Sequence, residues 1–124
     1  MQSTAAPFNA FSLSCPTRQM VAALSDKWVT LVVVALTDGP LRFSELLQRI
    51  EGVSQKMLTQ TVRTLERDGF VSRTVTASVP VRVDYELTAL GLELLPVLAA
   101  IKSYAEAHMP DIQVARAEYD RVAI

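Results

Sequence analysis

A mainly α fold of the α+β kind, helices enclosing one small hairpin, is what this sequence predicts. Three observations carry that expectation. Apolar residues recur at helical spacing through most of the chain. A clean alternation of period two is confined to residues 81–87, and Gly or Pro marks most of the points where one period gives way to another.

With 124 residues, half of them apolar, the chain is expected to be one globular domain with a real core. The longest apolar run, Trp28 to Leu36, is interrupted by Thr30 and falls far short of the roughly 20 residues that cross a bilayer, so no membrane partner is expected. Residues 1–14, MQSTAAPFNAFSLS, have no basic start and no long apolar stretch. They read as a flexible arm rather than a secretion signal, leaving 15–124 as the folded domain. A single cysteine, Cys15, excludes an internal disulfide and fits a reducing cytoplasm.

Pro16 suits the first position of a helix, where its missing N–H costs nothing, and Met20, Val21 and Leu24 give that helix a short apolar face over 16–24. Asp26 caps a second helix, Lys27 to Thr37, apolar on nearly every side and therefore central to the core. Asp38-Gly39-Pro40 turns the chain into a minimal strand, Leu41 to Phe43. Ser44 is the expected cap of a third helix, Glu45 to Ile50, which Gly52 ends; Ser54 caps a fourth that runs to Asp68 and stops at Gly69.

Phe70 to Ala77 and Val81 to Leu87 form a hairpin around Ser78-Val79-Pro80, with Val81, Val83, Tyr85 and Leu87 on the core side. Thr88 starts a long helix with an apolar stripe of Leu90, Leu94, Val97, Leu98, Ile101 and Ala105. Pro96 should kink it. Pro110 should end it, with Asp111 capping a last helix from Ile112 to about Val122. This order is a winged helix-turn-helix extended by helices at both ends. The stripe is wider than one short core face requires, so part of it is expected to pack on a second subunit, the first helix completing a homodimer interface.

The third helix, the turn at 51–53 and the fourth helix make the helix-turn-helix, a motif whose second helix lies in the major groove. Along the outer side of that helix stand Ser54, Gln55, Lys56, Thr59, Gln60 and Arg63, side chains that donate or accept hydrogen bonds and include no acid. Gln can pair with adenine, Lys with guanine, and Thr offers a hydroxyl and a methyl. A plain solvated face is the competing reading. Arg82 in the hairpin, with Arg42, stands where it could hold phosphates or reach the minor groove. Net charge is only −1 and the pI about 5.8, far from a strongly basic binder. The charge is uneven, however. Residues 54–73 hold Lys56, Arg63, Arg67 and Arg73 against Glu66 and Asp68, whereas 88–124 hold more acids than bases.

Seven segments in order carry a resemblance. Cys15-Pro16, Asp26-Lys27-Trp28, Gly39-Pro40-Leu41-Arg42-Phe43-Ser44-Glu45-Leu46, Ser54-Gln55-Lys56-Met57-Leu58-Thr59, Leu65-Glu66-Arg67-Asp68-Gly69, Val79-Pro80-Val81-Arg82-Val83-Asp84-Tyr85 and Leu87-Thr88-Ala89-Leu90-Gly91 resemble the HxlR family of winged helix-turn-helix, MarR-like transcription regulators of bacteria and archaea. The likeness spans about residues 13–109. It implies a dimer that binds double-stranded DNA at an inverted-repeat operator, with dimer contacts from the terminal helices. Val81 departs from the second proline that many members carry.

Cys15, just before a helix N-terminus, sits where the helix dipole favours the thiolate and hence oxidation; a small buried hydrophobe is the alternative. The resemblance implies sensing of oxidants or electrophiles at this place. His108, the only histidine, is better suited to capping terminal carbonyls than to binding metal, since no His/Cys cluster accompanies it. Trp28 and Phe43 read as core, with a small-molecule effector as a secondary idea. No Gly-rich phosphate loop, nucleophile with its base, or acid pair in a cleft is present, so neither an enzyme nor a cofactor is expected. The rival to a DNA-binding regulator is a winged-helix module that binds protein through the stripe of residues 90–105.

Overall fold

The computed structural model describes residues 8–123. Their elements follow in the order α1 (Pro16–Leu24), α2 (Lys27–Ala35), β1 (Leu41–Arg42), α3 (Phe43–Arg49), α4 (Gln55–Arg67), β2 (Val71–Thr76), β3 (Arg82–Leu87) and α5 (Ala89–Val122). This is the winged helix-turn-helix with added terminal helices that the pattern predicts. The core is built around α2, because its Val29, Val32, Val33 and Ala35 leave almost no polar face. Leu46 of α3, Leu58, Val62 and Leu65 of α4 and Leu94 and Leu98 of α5 close over it. Asp26 holds the start of α2 by accepting hydrogen bonds from the N–H groups of Trp28 and Val29.

The sheet has three antiparallel strands in the order β1-β3-β2. Val71 pairs with Leu87, Val75 with Val83 and Leu41 with Tyr85. Only its base is sealed: Val71, Tyr85 and Leu87 are buried, while Val75 and Val81 are not. The expectation that Val81 faces the core therefore fails, because the helices end before the hairpin does. We call this projecting hairpin the wing.

Where α4 ends, Gly69 takes a positive φ of 84° and the Phe70 N–H reaches back to the Leu65 carbonyl at 2.9 Å. Thr88 then ties the start of α5 to the same turn. Its N–H donates to the Phe70 carbonyl, its hydroxyl donates to the Gly69 carbonyl, and its oxygen accepts from the Gly91 N–H. Gly91 packs so tightly that a β-carbon there would stand 2.1 Å from the Phe70 carbonyl oxygen.

Several expected boundaries move. α2 stops at Ala35, with Leu36 and Thr37 in a closing turn. Helix α3 begins at Phe43, not after Ser44. The Glu45 carboxylate accepts the Arg42 N–H at 2.8 Å, so the third residue of the helix caps it from within and no hydroxyl cap is needed. Pro110 does not end the last helix: α5 runs unbroken for 34 residues through both Pro96 and Pro110, and Asp111 caps nothing. Each proline deprives one carbonyl of its partner, but around 110 the helix is exposed to water and flanked by Ala, Glu and Gln, which favour helix.

The stripe on α5 is divided. Leu94 and Leu98 are buried in the protomer's own core and so are not free for a second subunit, which corrects their place in the expected interface. Leu90, Val97 and Ile101 remain 49%, 55% and 52% exposed, and Ala105 is half-buried. Helix α1 buries no residue completely; Met20 and Leu24 rest on the core and Val21 faces outward. Of the arm expected over 1–14, residues 1–7 lie outside the described residues. Residues 9–15 are drawn into hydrogen-bonded turns, with Ser12 N–H on the Asn9 carbonyl and Cys15 N–H on that of Ser12.

Candidate nucleic-acid interface

Helix α4 is fixed from three directions. Ser54 caps it by accepting the Met57 N–H at 3.0 Å. Leu58, Thr61, Val62 and Leu65 are buried beneath it, the Thr61 hydroxyl satisfied by the Met57 carbonyl at 2.8 Å. Its far end is tied to α5 through Gly69 and Thr88. A helix held this way leaves one face free, and on it Gln55, Lys56, Thr59, Gln60 and Arg63 line a single shallow hollow. The structure thus brings together five of the predicted residues, with Ser54 at their head as a cap.

Among the described residues no hydrogen bond or ion pair engages the side chains of Gln55, Lys56, Gln60 or Arg63. Two amides and two cations are left with their donors unspent, aligned on one face of a helix whose positive dipole end is nearby. Thr59 differs, since its hydroxyl donates to the Gln55 carbonyl at 2.8 Å, leaving an oxygen lone pair and a methyl outward.

The flanking arginines behave otherwise. Arg82 Nε lies 3.0 and 3.2 Å from the two carboxylate oxygens of Asp84, which holds its guanidinium above the usual arginine range. Arg42 Nε stands 3.6 Å from Glu45. Both are exposed, and each faces an acid through its Nε. A third pair, Arg73 with Glu66 at 3.7 Å, was not anticipated. It lies in a hollow between α4 and the wing with Thr59, Arg63 and Tyr85. Burial pushes the Tyr85 hydroxyl up from its ordinary range. The alternation of β2 held the clue, because Arg73 falls on the same side as Val71 and Val75.

Cys15 occupies the cap position of α1. Its Sγ accepts the Asn9 N–H at 3.2 Å. The Thr17 hydroxyl, then the Asn9 amide, hold the thiol below the ordinary cysteine range against a smaller opposing effect of desolvation. His108 stacks on Tyr104 with ring centres 4.1 Å apart, and its Nδ1–H donates to the Tyr104 carbonyl at 2.9 Å. Among the described residues, no cluster of three His, Cys, Asp or Glu side chains is arranged to hold a metal. No helix there is long and apolar enough to cross a membrane.

The model of the HxlR-like helix-turn-helix matches residues 23–113. The chain belongs to the HxlR-like helix-turn-helix family. Its relatives include the HTH-type transcriptional regulator YtfH of Escherichia coli, 39% identical over 110 residues that cover 89% of this chain and 87% of that one. The structure of the transcriptional regulator ytfH from Salmonella typhimurium is similar with a TM-score of 0.84 at 38% identity, over 89% of this chain and 98% of that chain. The redox regulator HypR in its reduced form is similar with a TM-score of 0.72 at 31% identity, over 80% of this chain and 98% of that one. Membership places the chain among transcriptional regulators. The matched stretch contains the whole of α2 through β3, hence the HxlR-like motif and its wing together.

Proposed function

We propose that this HxlR-family chain is a cytoplasmic homodimeric transcription regulator that binds an inverted-repeat operator in double-stranded DNA. Helix α4 enters the major groove of each half-site through Gln55, Lys56, Thr59, Gln60 and Arg63. The observation that carries the reading is the unspent donor set on that face. A merely solvated helix has no need to align two amides and two cations on one face with no acid among them, whereas Arg42, Arg73 and Arg82 beside it each face an acid. Leu90, Val97, Ile101 and Ala105 of α5, with Val21 of α1, form the subunit contact in this reading.

Cys15 is the input in this proposal. Its depressed thiol range favours the nucleophilic thiolate, and the likeness to HypR, a redox regulator by name, supports an oxidant or electrophile as the signal. A lone thiol must end as a sulfenic acid, a mixed disulfide or a bridge between subunits. Any of these would disturb the Asn9 contact and the start of α1.

Fluorescence anisotropy on the gene's own upstream DNA, with and without diamide, tests both parts. Tight, salt-dependent binding is expected, with Lys56→Ala or Arg63→Ala lowering the salt slope by about one unit if the residue touches phosphate, or costing roughly 1–3 kcal/mol at one base position if it reads an edge. Absence of DNA binding at low salt would favour the protein-binding winged helix instead, a reading that the pI of about 5.8 supports. An equal response to diamide in Cys15→Ser would remove the cysteine from the mechanism.

A further inference from the structure

Tyr85 stands on the core side of β3 with only 7% of its surface exposed. It lines the hollow of 380 Å³ that α4 and the base of the wing enclose between them, and among the described residues nothing hydrogen-bonds its hydroxyl. Arg73, Glu66 and Arg63, which line the same hollow, are the charges that this hydroxyl feels. A buried phenol normally finds a partner within the fold, so one that faces a cavity without any marks a place where a ligand can supply it. The guanidinia also retain donors. Arg63 has no ion pair among the described residues, and Arg73 faces Glu66 through Nε at 3.7 Å with no hydrogen bond between them. Two cations against one acid leave the hollow positive, above an apolar floor of Phe43, Val62 and Val83. An apolar cavity of this size with a few convergent polar groups is the usual form of a small-molecule site. Part of its wall is shared: Arg63 and Thr59 line both this hollow and the one on the outer face of α4.

We propose that the hollow is an effector site for a small organic acid with an apolar ring, its carboxylate held by Arg63, Arg73 and the Tyr85 hydroxyl and its ring resting on Phe43, Val62 and Val83. Bound there, the acid competes with DNA for the Arg63 guanidinium and weakens operator binding, a consequence that rests on the DNA-binding reading above, whereas the site itself does not. A planar guanidinium grips a carboxylate through two parallel hydrogen bonds, which favours an acid over a neutral ring of the same shape. Burial keeps the proton on the Tyr85 hydroxyl, so it donates to that carboxylate as well. Of the two aromatic residues that a sequence reading connects with an effector, Phe43 lines this hollow and Trp28 does not.

The probe is benzoate, titrated onto the DNA-free protein by isothermal calorimetry, with acetate and benzyl alcohol as controls for the ring and for the charge. Saturable binding of one benzoate per chain is expected, with a Kd of about 1 mM or below and at least roughly tenfold weaker binding of either control. Tyr85→Phe keeps the buried ring and should leave the thermal midpoint in place, yet it and Arg73→Gln should each weaken benzoate roughly tenfold, the loss of one hydrogen bond to a charged group. In anisotropy titrations, saturating benzoate should weaken DNA binding by wild type about tenfold, and by reciprocity bound DNA should weaken benzoate by the same factor. The benzoate concentration that halves DNA binding should rise with the Kd in Tyr85→Phe. Acetate or benzyl alcohol binding as tightly as benzoate, or benzoate binding both variants as tightly as wild type, would overturn the site. Benzoate that binds the free protein and leaves DNA affinity unchanged would overturn its effector role. Wild type that binds benzoate but no DNA would overturn the DNA-binding reading while supporting the site.

Discussion

Replacing Asp84 by Asn should convert the wing from neutral to cationic, and its effect can be worked out in advance. Asp84 holds Arg82 through two contacts, of 3.0 and 3.2 Å, on an exposed strand where the arginine side chain is 55% accessible. A pair so exposed contributes little to folding, and Asn keeps the shape and one acceptor, so the fold should persist. The released guanidinium can then neutralise one phosphate per wing. One contact steepens the dependence of log K on log salt by about 0.9, which over a fourfold change in salt is about 3.5-fold in affinity. With two wings in a dimer the change approaches 1.8 units and roughly twelvefold. Anisotropy titrations between 50 and 200 mM salt, within the range where such slopes are measured, would read it directly. A slope for Asp84→Asn equal to that of wild type would refute the reasoning. So would a slope that falls by a full unit in Arg82→Ala, since Arg82 would then already touch phosphate in spite of its acid.

Gly91→Ala should destabilise, although alanine is the better helix former by about 1 kcal/mol, because its β-carbon would meet the Phe70 carbonyl oxygen at 2.1 Å; a net loss of about 1–3 kcal/mol in urea unfolding is expected. Leu98→Ala removes a fully buried side chain and should cost about 2–5 kcal/mol by the same assay. Val97→Asp with Ile101→Asp should instead leave the protomer folded and shift sedimentation toward the monomer, because both residues are half exposed in the protomer. Thr17→Val should raise the pH midpoint for alkylation of Cys15, since the Thr17 hydroxyl is the largest influence holding that thiol low. The sign for stability follows: a depressed folded value stabilises above the unfolded value, and the contribution is lost as pH falls through the folded one.

Features set by neighbours in sequence were the ones legible beforehand. Asp26, Ser54 and Thr88 cap helices because a short polar side chain two or three residues ahead of a free N–H needs nothing from the rest of the fold. The free face of α4 followed from the same local spacing. The start of α3 was not legible along the chain because Glu45 accepts the Arg42 N–H from inside the helix, so the hydroxyl of Ser44 is idle. At Pro110 the expected helix end does not appear, because on an exposed stretch the carbonyl that loses its partner is open to solvent. How α5 divides its apolar residues between two surfaces could not be seen along the chain, since Leu94 and Val97 differ only in which way the helix is turned when it meets α2. The Arg82–Asp84 pair was open to view, two residues apart on one strand, and it is what turns the wing's expected charge into none.

Helix α5 carries a consequence for how the molecule responds to dilution. At 1.5 Å per residue its 34 residues reach about 51 Å, yet every fully buried position, Gly91, Leu94 and Leu98, falls in the first ten. Pro110 divides the uncovered remainder into two pieces of about a dozen residues, a length at which an isolated helix is marginal in water, so its order must come from whatever it packs on. The outer part of α5 should therefore be helical in proportion to how much of the protein is assembled. Circular dichroism at 222 nm would then fall on dilution before the domain itself unfolds, making helix content a gauge of subunit association and each dissociation event a partial melting.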